Sequence, residues 1–378
     1  MRLGRYALVL ERRPTRPAAH AVLTAVLAIA LALAGSSVLF LSSEAGVLAA
    51  YRAIFSYAFL NPRGFVATVH RAIYLLLCTV AFVVPLRAGL WNIGLPGQVY
   101  AGALAAFAVP FALGADPQAL PLPPVLLVAL MAAAAAVAGA AVAGAVGLLR
   151  ARFQVNEILV TMMLNSILFW LVANFIKEGG PFMSATAEGE SFTLPVALRA
   201  PLVLDVPLTA AVALGAAVLL DLFFARTAAG YRVRALGENP AAARYAGVSP
   251  VRLTVLVFVV GGALAGLAGY HYFGAVPGLY KIPGNYGFYG DLAFYGIICA
   301  LIARGSSLGA VPIAVLFAGL SLGARFAQGA LRLPFGVDYA MLGLLMMTFV
   351  GSHVLYHYRI AWRPVALAVT PAPSPRWP

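Results

Sequence analysis

The chain has 378 residues, of which 63% are apolar and 10% charged, with a mean hydropathy of +0.94. A water-soluble chain carries charge on about a quarter of its residues, so water is excluded as the main solvent. The formal charge of +13 would point to nucleic acid in a soluble protein, and the placement of the basic residues decides against that reading.

Taken in chain order, Arg2, Arg5, Arg12, Arg13 and Arg16 precede an apolar stretch at about 20–41. That stretch exceeds the roughly 7–15 apolar residues of a secretory leader, so it is read as a retained first span behind a cytoplasmic segment, 1–19. Nine further apolar runs follow at approximately 69–87, 99–115, 122–149, 155–176, 201–225, 252–272, 291–304, 308–327 and 337–358. Most are close to the roughly 20 residues that cross a hydrocarbon core as a helix. The eighth and ninth are separated only by Gly305, Ser306 and Ser307, and the alternative for them is one broken helix with a re-entrant piece. Ala129–Leu149 is continuously apolar and alanine-rich, which excludes the alternating strands of a membrane barrel. The expected fold is all-α, a polytopic membrane helical bundle of about ten transmembrane helices over 20–358, with a tail, 359–378, whose Pro-rich end (370–378) is expected to be disordered.

With the N-terminus inside, 17 of the 25 Lys and Arg residues fall on the cytoplasmic side. Glu44, Asp116, Glu178, Glu188, Glu190, Asp205, Asp291 and Asp338 fall outside. The inner face then carries the whole positive excess, which places both termini in the cytoplasm and leaves no role for nucleic acid.

Three connections are longer than turns. Segment 42–68 carries Tyr51, Ile54, Phe55, Tyr57 and Phe59 and is read as an outer helix lying along the interface or packing on the bundle. Segment 177–200 is a second outer loop with three acids. Segment 226–252 is the main cytoplasmic loop, where Asn239 and Pro240 form a cap and first helical residue and Gly247 a stop, predicting a short helix over Pro240–Ala246.

Chemical motifs are scarce. Lys177 and Lys281 are the only lysines and neither follows a glycine, so a nucleotide-binding P-loop is excluded, and neither HExxH nor GxSxG occurs. Cys78 and Cys299 sit in separate apolar runs and read as small buried residues, not as a disulfide or metal pair. His353 and His357 are four apart, but beside Tyr356, Tyr358 and Arg359 they read as an interfacial belt, and no metal site is expected. Polar side chains inside spans are costly and mark candidate pathways. Glu157, Thr161 and Asn165 form a stripe at i, i+4 and i+8 on the fifth span; the alternative is a cytoplasmic-edge Glu157 with Asn156 as helix cap and Asn165 bonding a neighbouring helix. Asn92, Gln98 and Tyr100 flank a break at Gly94, Pro96 and Gly97, read either as a broken helix near a cavity or as an ordinary connection. Gly262, Gly266 and Gly269, like the Ala/Gly-rich fourth span, are assigned to close helix packing.

Three stretches resemble one family, the permeases of ABC importers for ribose-like sugars, nucleosides and branched-chain amino acids. Leu90–Gln98 resembles the Asn-Ile-Gly-x-Glu-Gly-Gln signature of the nucleoside and simple-sugar branch, with Pro96 where an acid is usual. Asn156–Asn165 is similar to that branch's Asn-Glu-x-x-x-Thr-x-Met-Leu-Asn run, and Arg234–Gly247 looks like the family's cytoplasmic coupling loop. A weaker likeness spans Gly296–Gly309, where Ser307 replaces a usual proline. The resemblance implies two membrane subunits on two ATPase subunits, with an extracytoplasmic solute-binding protein delivering a nucleoside or simple sugar across a bacterial inner membrane. It implies a second permease, most often a different one, and no cofactor in this chain, since the partner ATPase binds ATP and Mg. It assigns ATPase coupling to Gly237, Asn239, Pro240, Ala241, Ala242, Arg244 and Gly247, and the translocation pathway to Asn92, Gln98, Glu157, Thr161 and Asn165. The rival readings are an ion-coupled secondary transporter, which needs buried acidic or histidine relays, and an intramembrane enzyme, which needs a nucleophile beside a base.

Overall fold

The computed structural model describes residues 2–3, 6–12, 18–41, 46–114, 121–177, 179–185 and 189–364. Arg5, Arg13, Arg16, Arg376, Glu44, Asp116, Glu178, Glu188 and the 370–378 tail lie outside the described residues, as do the side chains of His353 and His357. The chain forms two compact units, 52–326 and a smaller one made of 1–51 and 327–378.

In the larger unit, α3 (Pro62–Arg87) is the central helix. It is buried without interruption from His70 to Pro85, as expected of a helix surrounded by others. Asn61 starts it, its side chain accepting from the Gly64 amide at 3.1 Å with Pro62 in the first turn. Around it stand α4 (Leu95–Ala112), α7 (Thr209–Arg226), α10 (Pro250–Tyr270) and α11 (Gly287–Ile302), with α5 (Pro124–Phe153) and α6 (Glu157–Ile176) packed on α4. Two short helices on the 226–252 loop, α8 (Ala228–Glu238) and α9 (Pro240–Tyr245), follow α7; α9 is the helix expected at Pro240, whereas α8 was not anticipated. α12 is Ala310–Ala330.

The small-residue assignment holds. A Cβ on Gly266 would strike the Ala135 carbonyl of α5, and one on Gly262 would come within 2.4 Å of the Ala143 Cβ. Gly102 of α4 abuts Gly266 in the same way, so α4, α5 and α10 meet backbone to backbone. Without a hydrophobic drive between helices in lipid, this close approach supplies the packing attraction.

A helix occupies each of the ten expected spans, and among the described residues seven segments are long and apolar enough to cross a membrane. The sixth starts later than expected, at Thr209 instead of 201. β3 (Leu202–Val203) and β4 (Val206–Pro207) pair as a hairpin first, with Leu204 (φ 53°) and Asp205 (φ 62°) taking the left-handed turn that such a hairpin needs. The eighth and ninth spans are separate helices, parted by Arg304 (φ 54°) and Gly305 (φ 69°). The 42–68 segment is helical over α2 (Gly46–Phe55) and a π turn, Ser56–Leu60. Its aromatics pack inward: Tyr57 stacks on Phe326 at 3.8 Å, Phe59 fills the place of a side chain at Gly319, and Ile54 is fully buried.

In the smaller unit, α1 (Ala18–Phe40) packs on α13 (Val337–His357), with Gly35 facing Leu344. Beyond these helices β2 (Tyr6–Arg12) pairs antiparallel with β5 (Tyr358–Pro364), Arg12 opposite Tyr358 and Tyr6 opposite Pro364, and β1 (Arg2–Leu3) adds to β2.

Replacing Gly266 with Val should lower stability by about 1–3 kcal/mol, the cost of overpacking a filled contact. Gly215 of α7 has open space where its Cβ would stand, and Gly215→Ala should leave stability unchanged. Thermal unfolding of the detergent-solubilised variants, read by size-exclusion recovery, checks both.

Candidate coupling surface and translocation residues

α3 ends at Arg87, and the seven residues that follow lead to α4 without helix. Gly89 (φ 72°) turns this connection and lies flat against Gly237 at the end of α8. A Cβ on Gly237 would stand 2.5 Å from the Arg87 carbonyl and 2.9 Å from the Gly89 nitrogen, so nothing larger than hydrogen fits. Arg87 reinforces the junction: its Nε donates to the Gly305 carbonyl at 2.8 Å and its guanidinium lies 5.7 Å from the Phe224 ring centroid. The end of α8, the end of the central helix and the 303–309 turn are thereby joined at one point.

The two short helices are separately capped. The Thr227 hydroxyl accepts from the Gly230 amide at 3.0 Å, and Asn239 Oδ1 accepts from the Ala242 amide at 3.0 Å with Pro240 at the first helical position. Gly247 (φ 79°) ends the turn, its amide donating to the Arg244 carbonyl at 3.0 Å. Ala243 is buried, while Ala241, Ala242, Arg244 and Tyr245 are exposed, Tyr245 at 97%. Between this helix, the 88–90 turn and the ends of α5 and α10 lies a cavity of about 210 Å³ lined by Gly89, Arg150, Gln154, Gly237, Arg244 and Thr254, among others.

Three of the five predicted pathway side chains, Asn92, Gln98 and Asn165, are hydrogen-bonded to one another or to the connection before α4, while Thr161 packs against that connection and Glu157 bonds elsewhere. Asn92 and Gln98, both buried, exchange reciprocal amide bonds of 3.0 and 2.8 Å, and Asn92 Oδ1 also accepts from the Gly94 amide at 3.2 Å. Asn165 of α6 accepts from the Gly97 amide at 2.9 Å and donates to the Ile93 carbonyl at 3.0 Å. Thr161 packs against Gly94 and returns its hydroxyl to the Glu157 carbonyl at 2.7 Å. Glu157 pairs with Arg150 of α5 at 3.2 Å, while Asn156 caps α6 by accepting from the Ile158 amide at 3.0 Å. The break before α4 is thus a connection fastened to α6, with Pro96 in the first turn of α4.

Sequence reasoning passed over a second polar group in this unit. Arg71 of α3 is buried, donates from Nη1 to the Ser321 hydroxyl of α12 at 2.9 Å, and keeps an unpartnered Nε. Phe288 lies 5.8 Å from it and 3.9 Å from the Arg325 guanidinium. The signal was a charge inside an apolar run, and assigning Arg71 to the outer face by count concealed it. Among the described residues no group of His, Cys, Asp and Glu could hold a metal ion.

A family model described as the permease component of a branched-chain amino acid transport system matches residues 64–350. The chain is 30% identical over 365 residues to the glucose ABC transporter permease protein of Haloferax volcanii, covering 93% of each chain. It is 31% identical over 340 residues to the guanosine ABC transporter permease protein of Bacillus subtilis, covering 88% of this chain and 94% of that one. With the nucleoside ABC transporter permease protein of Lactococcus lactis the identity is 28% over 314 residues, or 80% and 84% of the two.

Asn165→Ala strands the Gly97 amide and the Ile93 carbonyl, each at about 1–3 kcal/mol if buried. The variant should unfold at a clearly lower temperature than Met163→Ala, whose side chain is 60% exposed, with both followed by tryptophan fluorescence.

Proposed function

This chain belongs to the permease family of branched-chain amino acid type transport systems, as a membrane-spanning permease subunit of an ABC importer, and from that premise we propose how it works. The solute is a nucleoside or a simple sugar. That choice rests on the Asn156–Asn165 and Leu90–Gln98 motifs and on relatives named for guanosine, nucleosides and glucose. ATP and Mg are bound by a separate ATPase subunit, a solute-binding protein delivers the cargo from outside, and a second permease completes the membrane assembly in a bacterial inner membrane with both termini cytoplasmic.

One observation carries the mechanism, the backbone contact between Gly237 and the Arg87–Gly89 turn. α9 presents Ala241, Ala242, Arg244 and Tyr245 to a groove on the ATPase, with Tyr245 as an aromatic anchor of the kind that dominates interface energetics. Closure of the ATPase moves α8 and α9, and a joint with no slack passes that movement into α3 and the connection before α4. Asn92, Gln98, Glu157, Thr161 and Asn165 stand where that connection meets α6, at the cytoplasmic end of the route, so opening this end requires their bonds to shift. Glu157, the acid within a span that the ion-coupled alternative would use, is engaged with Arg150.

The complex reconstituted with its binding protein should take up a radiolabelled nucleoside only with ATP inside the vesicle; competition by pentoses and not by nucleosides would assign it to sugars. Replacing 237–247 with a flexible Gly/Ser linker should abolish co-purification of the ATPase while membrane insertion persists. Tyr245→Ala should weaken that association by about tenfold or more, as loss of an interface anchor does. Retained association of the linker variant would refute the coupling role.

A further inference from the structure

The joint and the cluster around Asn165 account for the cytoplasmic end of the molecule and leave the route through the rest of the bundle without side chains. Asp291 stands one turn into α11, exposed in this chain, and among the described residues no ion pair reaches it. Counting back from Ile302, the last residue of α11, at 1.5 Å per residue, Asp291 lies about 16 Å into the span, inside a core roughly 30 Å thick and not on the outer face where the count of charges put it. An exposed carboxylate at that depth is strongly disfavoured against lipid tails and faces water or polar groups instead.

The neighbouring helix supplies a matching surface. The Tyr286 hydroxyl donates to the Phe169 carbonyl of α6 at 2.9 Å, and a Cβ on Gly287 would meet the Phe169 ring at 3.1 Å, so the start of α11 is seated on the middle of α6. On α6, Ser166, Trp170 and Asn174 recur at i, i+4 and i+8 and are all exposed, Trp170 at 64%. α5 by contrast carries no polar side chain from Pro124 to Leu149, and its large exposed side chains there are Val125, Leu126, Leu130, Val137, Leu148 and Leu149, whereas on α6 the polar stripe runs beside exposed Met162, Met163, Ile167 and Leu171.

We propose that Ser166, Trp170 and Asn174 of α6, together with Asp291 of α11, form the wall of an aqueous route for a neutral, hydroxyl-bearing solute. The Asp291 carboxylate accepts hydrogen bonds from adjacent hydroxyl groups, the indole of Trp170 covers the apolar face of a sugar or base ring, and Ser166 and Asn174 extend the polar track along the helix. The assignment rests on the importer reading and adds to it the residues that meet the cargo.

Cysteine accessibility in the assembled complex tests the wall, because the native Cys78 and Cys299 are fully buried and contribute no background. Ser166→Cys, Asn174→Cys and Asp291→Cys should react rapidly with a membrane-impermeant thiosulfonate in proteoliposomes, more slowly with solute present. Val137→Cys and Leu219→Cys, 68% and 67% exposed on apolar faces, should stay unreactive. Labelling at 166 and 291 no faster than at 137 would overturn the proposal. In parallel, Asp291→Asn should raise the solute KM by about tenfold or more, with the yield of assembled complex unchanged. If Asp291→Asn instead released the second permease, the carboxylate would belong to a contact between subunits and its role toward solute would be refuted. Wild-type uptake in the same vesicles separates the two levels: ATP-driven uptake without labelling overturns the wall alone, and absence of ATP-driven uptake overturns the importer reading beneath it.

Discussion

Two glycines carry the architecture of this permease where its loop helices meet the bundle. Gly89 and Gly237 bring the turn after the central helix and the end of α8 into backbone contact, at distances that exclude any side chain. A contact of that kind has no rotamers to absorb displacement, unlike one made through long side chains. Arg87, bonded to Gly305 and lying by Phe224, ties the same point to the ends of α7 and α11, so that α3, α7 and α11 all meet α8 there.

Above the joint, the bundle combines rigid and exposed faces. α3 is buried from His70 to Pro85, and α4, α5 and α10 are held by small residues at backbone distance. α6 is different. Its buried side carries Glu157 and Thr161 near its N-terminus, Asn165 bridges it to the turn before α4, and its other side presents Met162, Met163, Ser166, Ile167 and Trp170 outward. A helix fastened at one end to the connection that the joint moves, and free along one face, is placed to change a cavity wall when the joint shifts.

Much of this was legible in the sequence because its causes are local. Apolar runs of membrane length located ten helices, Asn239 with Pro240 located the start of α9, and Gly262 and Gly266 announced close packing. Other features depend on partners far along the chain. The hairpin that delays α7 to Thr209 arises from two short strands within an apolar run, where hydropathy sees only continuity. The bonds of Asn92 to Gln98 and of Asn165 to Ile93 and Gly97 need the folded connection before they can be read. Arg71 shows the limit most clearly: a count by sides assigned it to the outer face, and only the tertiary fold buries its guanidinium against Ser321.

The central claim is that α8, α9 and the turn after α3 move as one body under ATP. Spin labels at Tyr231 of α8 and Trp91 of that turn, both exposed, measure it directly in the assembled complex by electron paramagnetic resonance distance spectroscopy. The separation should keep the same distribution in nucleotide-free and ATP-trapped states, while ATP still drives uptake. A shift of that distribution in a complex that still transports would contradict the account, because force would then be entering the membrane helices elsewhere.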